Sequence, residues 1–118
     1  MTRTLRCAVI GAGIAGLTCA RALRIAGASV AVFEREAWPG GRAATYSGST
    51  GSYDHGAQYF TATEEGFAAE LARWLSEGAV ARWSGRIGSF EDGTLLDKSA
   101  SAERYVGVPS MRRLGEML

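Results

Sequence analysis

Six consecutive residues, Gly11-Ala12-Gly13-Ile14-Ala15-Gly16, together with the carboxylate of Glu34, have the types and spacing to hold a dinucleotide. Three glycines in a GxGxxG order carry little weight alone in a chain with 16 glycines. Their setting gives them weight. An apolar run enters Gly11, a helical pattern leaves Gly16, and Glu34 follows Gly11 by 23 positions. Each part has a mechanical task. Gly11 permits a tight turn, Gly13 lets the backbone approach a pyrophosphate with no Cβ in the way, and Gly16 allows helix and strand to touch. The helix N-terminus then offers free N–H groups and positive dipole to phosphate, with Ala12, Ile14 and Ala15 lining the same turn. Glu34, with Arg35 beside it, suits ribose hydroxyls and repels a 2′-phosphate, which disfavours an NADP-type ligand. The competing reading is a glycine-rich turn that binds nothing.

The elements that must position these residues are legible as periodicity. Residues 5–10 form a short apolar run expected to be a buried parallel strand, and residues 14–26 a helix with Leu17, Ala20, Leu23 and Ile25 facing inward. Gly27 stands at a helix C-cap position, and residues 29–33 are expected to be a second buried strand. Strand, helix and strand in about 30 residues is a parallel βαβ unit. Residues 37–52, rich in Gly, Ser, Thr and Pro, are expected to form a long loop, and residues 53–63 an irregular or extended segment.

Thr63 is expected to cap a helix with Glu64 and Glu65 in its first turn, an apolar face of Phe67, Leu71, Trp74 and Leu75, and Gly78 at its end. Short strands are expected at residues 80–83 and 86–90, the latter turning at Asp92-Gly93 into Thr94-Leu95-Leu96 as a β-hairpin. Residues 105–108 could add a strand before Ser110 caps a helix beginning Met111-Arg112-Arg113-Leu114. The predicted fold is α/β. Residues 1–62 form the N-terminal βαβ and cofactor-lining loops of a doubly wound, Rossmann-like domain, and residues 63–118 form a helix and the start of an antiparallel β substrate domain.

Bulk composition excludes several classes. The 118 residues are 47% apolar and 21% charged, ordinary for a folded domain. A net charge of +1, with arginines scattered rather than striped, makes no electrostatic case for nucleic acid or an anionic membrane. The two cysteines, Cys7 and Cys19, lack metal-ligand or CxxC spacing and are expected to be buried free thiols. No apolar run reaches the roughly 18 to 20 residues of a membrane span, and no signal peptide is evident, so a cytoplasmic location is expected.

Three further segments carry a resemblance. Pro39-Gly40-Gly41-Arg42 resembles the GGR motif of flavoproteins in the amine oxidase superfamily. That resemblance implies that the glycines pass close to the dinucleotide and that Arg42 lies near its phosphate and ribityl region, which suits a guanidinium. Residues 53–61 (YDHGAQYFT) look like the DxGAQYF segment of renalase-like FAD-dependent oxidoreductases, and residues 105–111 (YVGVPSM) are similar to their YVGxPGM segment, with Ser110 in place of glycine. The resemblance implies that the Gly56, Ala57 and Gln58 backbone approaches the flavin end of FAD. His55 reads more readily as a structural hydrogen-bonding group than as a catalyst. Tyr59 and Phe60 could face a flavin or pack beneath it.

The resemblance implies an FAD-dependent oxidoreductase in which hydride passes from an amine or a dihydronicotinamide to the flavin, with oxygen as the expected reoxidant. No catalytic side chain is identifiable, and no metal site is expected. Renalase-like proteins are considerably longer, so the chain is expected to be a truncated part of such an enzyme, inactive alone. Two other classes compete: an NAD-dependent dehydrogenase, and a non-enzymatic dinucleotide-binding remnant.

Overall fold

The computed structural model describes residues 4–99 and 102–118; residues 1–3 and 100–101 of the two predicted segments lie outside it. Strand β1 (Arg6–Ile10), helix α1 (Ile14–Ile25) and strand β2 (Ser29–Phe33) form the expected βαβ unit. The strands are parallel, in register from Arg6 opposite Ser29 to Ile10 opposite Phe33. Helix α1 ends in a paired cap: the Ala28 N–H donates to the Leu23 carbonyl and the Gly27 N–H to that of Arg24. Gly27, at φ +89°, supplies the left-handed residue that this cap requires.

Burial differs from the expectation for both strands. Ile10 is 81% exposed and Phe33 57%, because the sheet has two strands and α1 is the helix packed on them. Ile25, at the last turn of α1, is exposed rather than inward-facing. Cys7 and Cys19 are free, but Cys7 is half-buried and Cys19 exposed, since neither faces the molecule's main core.

The predicted loop after β2 contains structure of its own. A single 3-10 turn spans Gly41–Ala43, and β3 (Tyr46–Gly48) pairs antiparallel with β4 (Gly51–Tyr53). Tyr46 and Tyr53 sit opposite each other and Ser47 opposite Ser52, with the serine hydroxyls 3.1 Å apart. Cross-strand pairing at the two ends outweighs a composition that reads locally as loop.

The core lies around α2 (Glu65–Ser76), β5 (Val80–Arg82) and β8 (Tyr105–Gly107). Leu71 and Trp74 are buried on the predicted face of α2, with Phe67 and Leu75 packed at its margin. Phe60 brings the preceding segment into this core, its ring centroid 5.9 Å from Phe67, 6.3 Å from Trp74 and 5.7 Å from Tyr105. Helix α2 ends as α1 does, with Ala79 N–H to Trp74 carbonyl, Gly78 N–H to Leu75 carbonyl, and Gly78 at φ +68°. Its N-cap is Glu64 rather than Thr63, which stands one residue too early for its hydroxyl to reach the first turn.

Strand β5 pairs antiparallel with β8, and β6 (Gly88–Glu91) with β7 (Thr94–Asp97) in the predicted hairpin. Asp92 and Gly93, at φ +48° and +77°, have the left-handed pair that a two-residue turn of this hand needs. The last helix, α3 (Arg113–Glu116), is not capped by the Ser110 side chain; the Ser110 carbonyl instead accepts the Arg113 N–H.

A three-membered ion cluster ties α1 to α2. Arg21 donates to both oxygens of Glu70, at 2.6 and 3.0 Å, and Arg73 donates to the same carboxylate. The two guanidinium groups hold the Glu70 carboxyl down at about 2, against an ordinary 4.5. A depressed carboxyl stabilises the fold fully above about 4.5 and loses that contribution as pH falls toward about 2. Glu70→Gln should therefore lower unfolding stability at neutral pH by about 1 kcal/mol, a modest value because the cluster is partly solvated. Urea titrations at several pH values check this: the difference from the parent should shrink across that acid range, and a pH-independent difference would contradict it.

Candidate functional site

The glycine turn between β1 and α1 has the geometry its sequence requires. Gly11 lies at φ +96° and donates its N–H to the Phe33 carbonyl at 2.7 Å, joining the turn to the end of β2. A Cβ on Gly16 would stand 2.0 Å from the Gly11 carbonyl oxygen, so only glycine lets the first turn of α1 sit on the end of β1. Gly13, the N-cap of α1 at φ −72°, is different: a Cβ there would meet nothing within 4 Å. The space in front of Gly13 is open, which is the condition for a ligand to approach this backbone.

The carboxylate of Glu34 closes the turn from the side. Its Oε2 accepts the Ala12 N–H at 2.6 Å and its Oε1 accepts the Glu36 N–H at 2.9 Å. The Glu36 amide first, and the Ala12 amide next, hold this carboxyl below its usual range, so it is charged at neutral pH. Arg35 turns away to pair with Glu36 at 3.0 Å and is well exposed.

The second glycine pair is stacked on the first. Gly40 donates its N–H to the Ala12 carbonyl at 2.8 Å, and Gly13 and Gly40 form a parallel bridge. A Cβ on Gly41 would lie 3.1 Å from the Gly13 Cα. The third segment joins through Arg42, whose carbonyl accepts the Ala57 N–H at 2.8 Å and would lie 2.0 Å from a Cβ on Gly56. The structure thus links the Gly11–Gly16 turn, Gly41, Arg42, Gly56 and Ala57 through main-chain contacts, with Glu34 joined to the turn by its carboxylate. The Arg42 side chain and Gln58 are exposed and make no hydrogen bond or ion pair with a described residue.

A cleft of about 600 Å³ opens beside this stack, lined by Glu34, Arg35, Trp38, Gly41, His55 and Arg112 among others. Of the predicted site residues, Glu34, Arg35 and Gly41 line it; residues 11–16, Arg42 and residues 56–58 do not. His55 makes no side-chain hydrogen bond with a described residue, so the structural role expected of it falls to its neighbour. Asp54 Oδ1 accepts the Thr45 hydroxyl at 2.6 Å and the Met111 N–H at 3.1 Å, while Thr45 Oγ1 accepts the Arg112 N–H at 3.1 Å. Sequence reasoning missed this network because its partners are 57 and 67 positions apart. Phe60 packs at the core, and Tyr59 meets Trp83 in a tilted ring contact at 5.5 Å, beneath the Arg104 guanidinium.

A parallel βαβ unit with a left-handed glycine turn and an acid at the end of the second strand is a dinucleotide-binding, Rossmann-like frame. The chain belongs to the NAD(P)-binding Rossmann-like domain family, whose sequence pattern matches residues 9–76. Solved structures agree. Putrescine oxidase, with putrescine bound, is similar over 85% of this chain and 23% of its own, at 27% identity and a TM-score of 0.56. Cyclohexylamine oxidase from Brevibacterium oxydans IH-35A is similar over 86% of this chain and 23% of its own, at 27% identity and a TM-score of 0.55. The chain therefore spans under a quarter of the length of these relatives. None of its described helices is long and apolar enough to cross a membrane.

The contrast between two glycines is directly testable. Gly16→Ala forces a methyl into the Gly11 carbonyl and should destabilise the fold by roughly 2 kcal/mol, as overpacking does. Gly13→Ala should leave stability within about 0.5 kcal/mol, since the site is open and its φ is ordinary. Thermal or urea unfolding of both variants checks the order, and equal losses would contradict the geometry.

Proposed function

We propose that this chain is the FAD-binding part of a flavin-dependent oxidoreductase of the amine oxidase type, on its renalase-like branch. The observation that carries the reading is the docking of Gly40 and Gly41 onto Gly13, beside a Glu34 held charged by the Glu36 and Ala12 amides. A GxGxxG turn serves NAD and FAD alike. What separates them here is the Gly40-Gly41-Arg42 segment, whose flavoprotein resemblance is supported by its stacking on the first turn.

The residues fit such a group. The open space at Gly13 admits a pyrophosphate to the start of α1, and the neighbouring cleft is of the size that cofactor sites usually have. Residues 11–16 would line the phosphates, with Gly11 and Ala12 shaping the turn and the amides of residues 13–16 at the start of α1 facing the ligand, and Glu34, with Arg35 at its side, would bind the adenosine ribose. Gly41 would line the dinucleotide and Arg42, whose guanidinium has no partner among the described residues, would reach phosphate oxygens. Gly56, Ala57 and Gln58 would lie toward the flavin end. When bound, the flavin supplies hydride acceptance from a small amine or dihydronicotinamide and reoxidation by oxygen. Similarity to putrescine and cyclohexylamine oxidases supports the amine class.

Titration of the purified chain with FAD and with NAD⁺, followed by flavin fluorescence and calorimetry, tests the reading. FAD should bind at least about tenfold more tightly than NAD⁺, a difference of about 1.4 kcal/mol. The double variant Glu34→Arg with Gly13→Val should lose FAD binding while keeping its far-ultraviolet circular dichroism. Undiminished FAD affinity in that variant would overturn the assignment, and a preference for NAD⁺ would favour a dehydrogenase.

A further inference from the structure

Arg112 lies about 70 positions or more from the Gly11–Gly16 and Gly40–Gly41 turns in sequence, yet the fold builds it into the wall of the cleft. Three contacts fix its position. Its N–H donates to Thr45 Oγ1 at 3.1 Å, and the preceding Met111 N–H donates to Asp54 at 3.1 Å. One turn on, a Cβ at Gly115 would lie 3.0 Å from the Cα and N of Gly40, so α3 rests on the same glycine pair that rests on Gly13.

The Arg112 side chain is also oriented before any ligand arrives. Its guanidinium carbon sits 4.7 Å from the centroid of the Trp38 ring, and its side chain is 24% exposed. Only its Nε approaches a carboxylate, Glu116, at 3.6 Å; the two terminal nitrogens meet no acceptor among the described residues. Stacking on an aromatic face leaves the edge of a guanidinium, with its donors, free to bind.

Charge in the cleft gives this edge a purpose. Arg35 and Glu36 pair with each other, and the lining also holds the Glu34 carboxylate and the Arg112 guanidinium, whose Nε alone approaches Glu116. A carboxylate suits the ribose of a dinucleotide but repels its phosphates, so a guanidinium in the same lining would favour an anionic ligand, adding to the start of α1 and Arg42. We propose that Arg112, held on Trp38, is a further phosphate-binding residue of this cleft, reading the ADP part of the ligand in the lining it shares with Glu34. The assignment rests on the dinucleotide reading and adds to it a residue outside every sequence motif for that ligand.

Calorimetric titration of the full chain with ADP and with adenosine tests this, using Arg112→Gln and the exposed-site variant Trp38→Ala. Arg112→Gln should weaken ADP by roughly tenfold or more, as loss of a charge-assisted contact does, and leave adenosine unchanged. It should also flatten the salt dependence of ADP binding, which a purely structural role would not do. Trp38→Ala, which leaves α3 intact, should weaken ADP several-fold. Equal loss for ADP and adenosine, or unchanged ADP affinity in both variants, would overturn the role of Arg112 while the dinucleotide reading stands. Failure of the unmodified chain to bind ADP at all would overturn both.

Discussion

Close backbone approach, possible only where no Cβ intervenes, is the constraint on which this site depends. The first turn of α1 rests on the Gly11 carbonyl through Gly16, Gly41 rests on Gly13, Gly115 rests on Gly40, and Gly56 rests on the Arg42 carbonyl. Each contact brings a different stretch of chain to one place without placing a side chain between them. Amides and carbonyls, rather than side chains, therefore make most of the surface that would meet a phosphate. Such a surface is rigid and already oriented, because main-chain groups held in this way have no rotamers to lose.

The same constraint explains why the charged groups sit where they do. Glu34 takes two main-chain amides, so its carboxylate is both a ligand for the turn and a fixed negative charge at the cleft. Asp54 and Thr45 perform the equivalent service on the other side, holding the backbone at Met111 and Arg112. The cleft is thus framed by two buttresses of opposite design, one a carboxylate at a strand end and one a hydroxyl-carboxylate pair under α3. Away from it, the parallel sheet keeps open faces and the β6–β7 hairpin exposes Phe90 and Leu95, while the aromatic core around Phe60, Trp74 and Tyr105 carries the packing.

Elements set by local chemistry were legible in the sequence. Gly27 and Gly78 end their helices as their positions suggest, Asp92-Gly93 makes its hairpin, and Phe67, Leu71, Trp74 and Leu75 share one packed face. The glycine turn and Glu34 were legible for the same reason, since fixed spacing along the chain implies fixed geometry. Long-range partners were not. The β3–β4 hairpin hides in a stretch whose Gly, Ser and Thr content reads as loop, and exposure of Ile10 and Phe33 depends on what covers a sheet rather than on the strand itself. Asp54, Thr45 and Arg112 belong to one network only because the fold returns α3 to the glycine stack. Thr63 and Ser110 show the limit of capping rules, since they stand one and two residues before the observed N-caps Glu64 and Arg112, and neither hydroxyl caps its helix.

The central claim is that the stacked glycine turns form one preorganised dinucleotide surface. Amide chemical-shift mapping of the isotope-labelled chain during titration with FAD tests it most directly. Shifts should concentrate at residues 11–16, 34–42 and 56–58 and move together along one binding curve, while the β6–β7 hairpin stays still. Shifts centred on the hairpin or on the Arg21–Glu70–Arg73 cluster between α1 and α2, with the glycine turns unmoved, would contradict it.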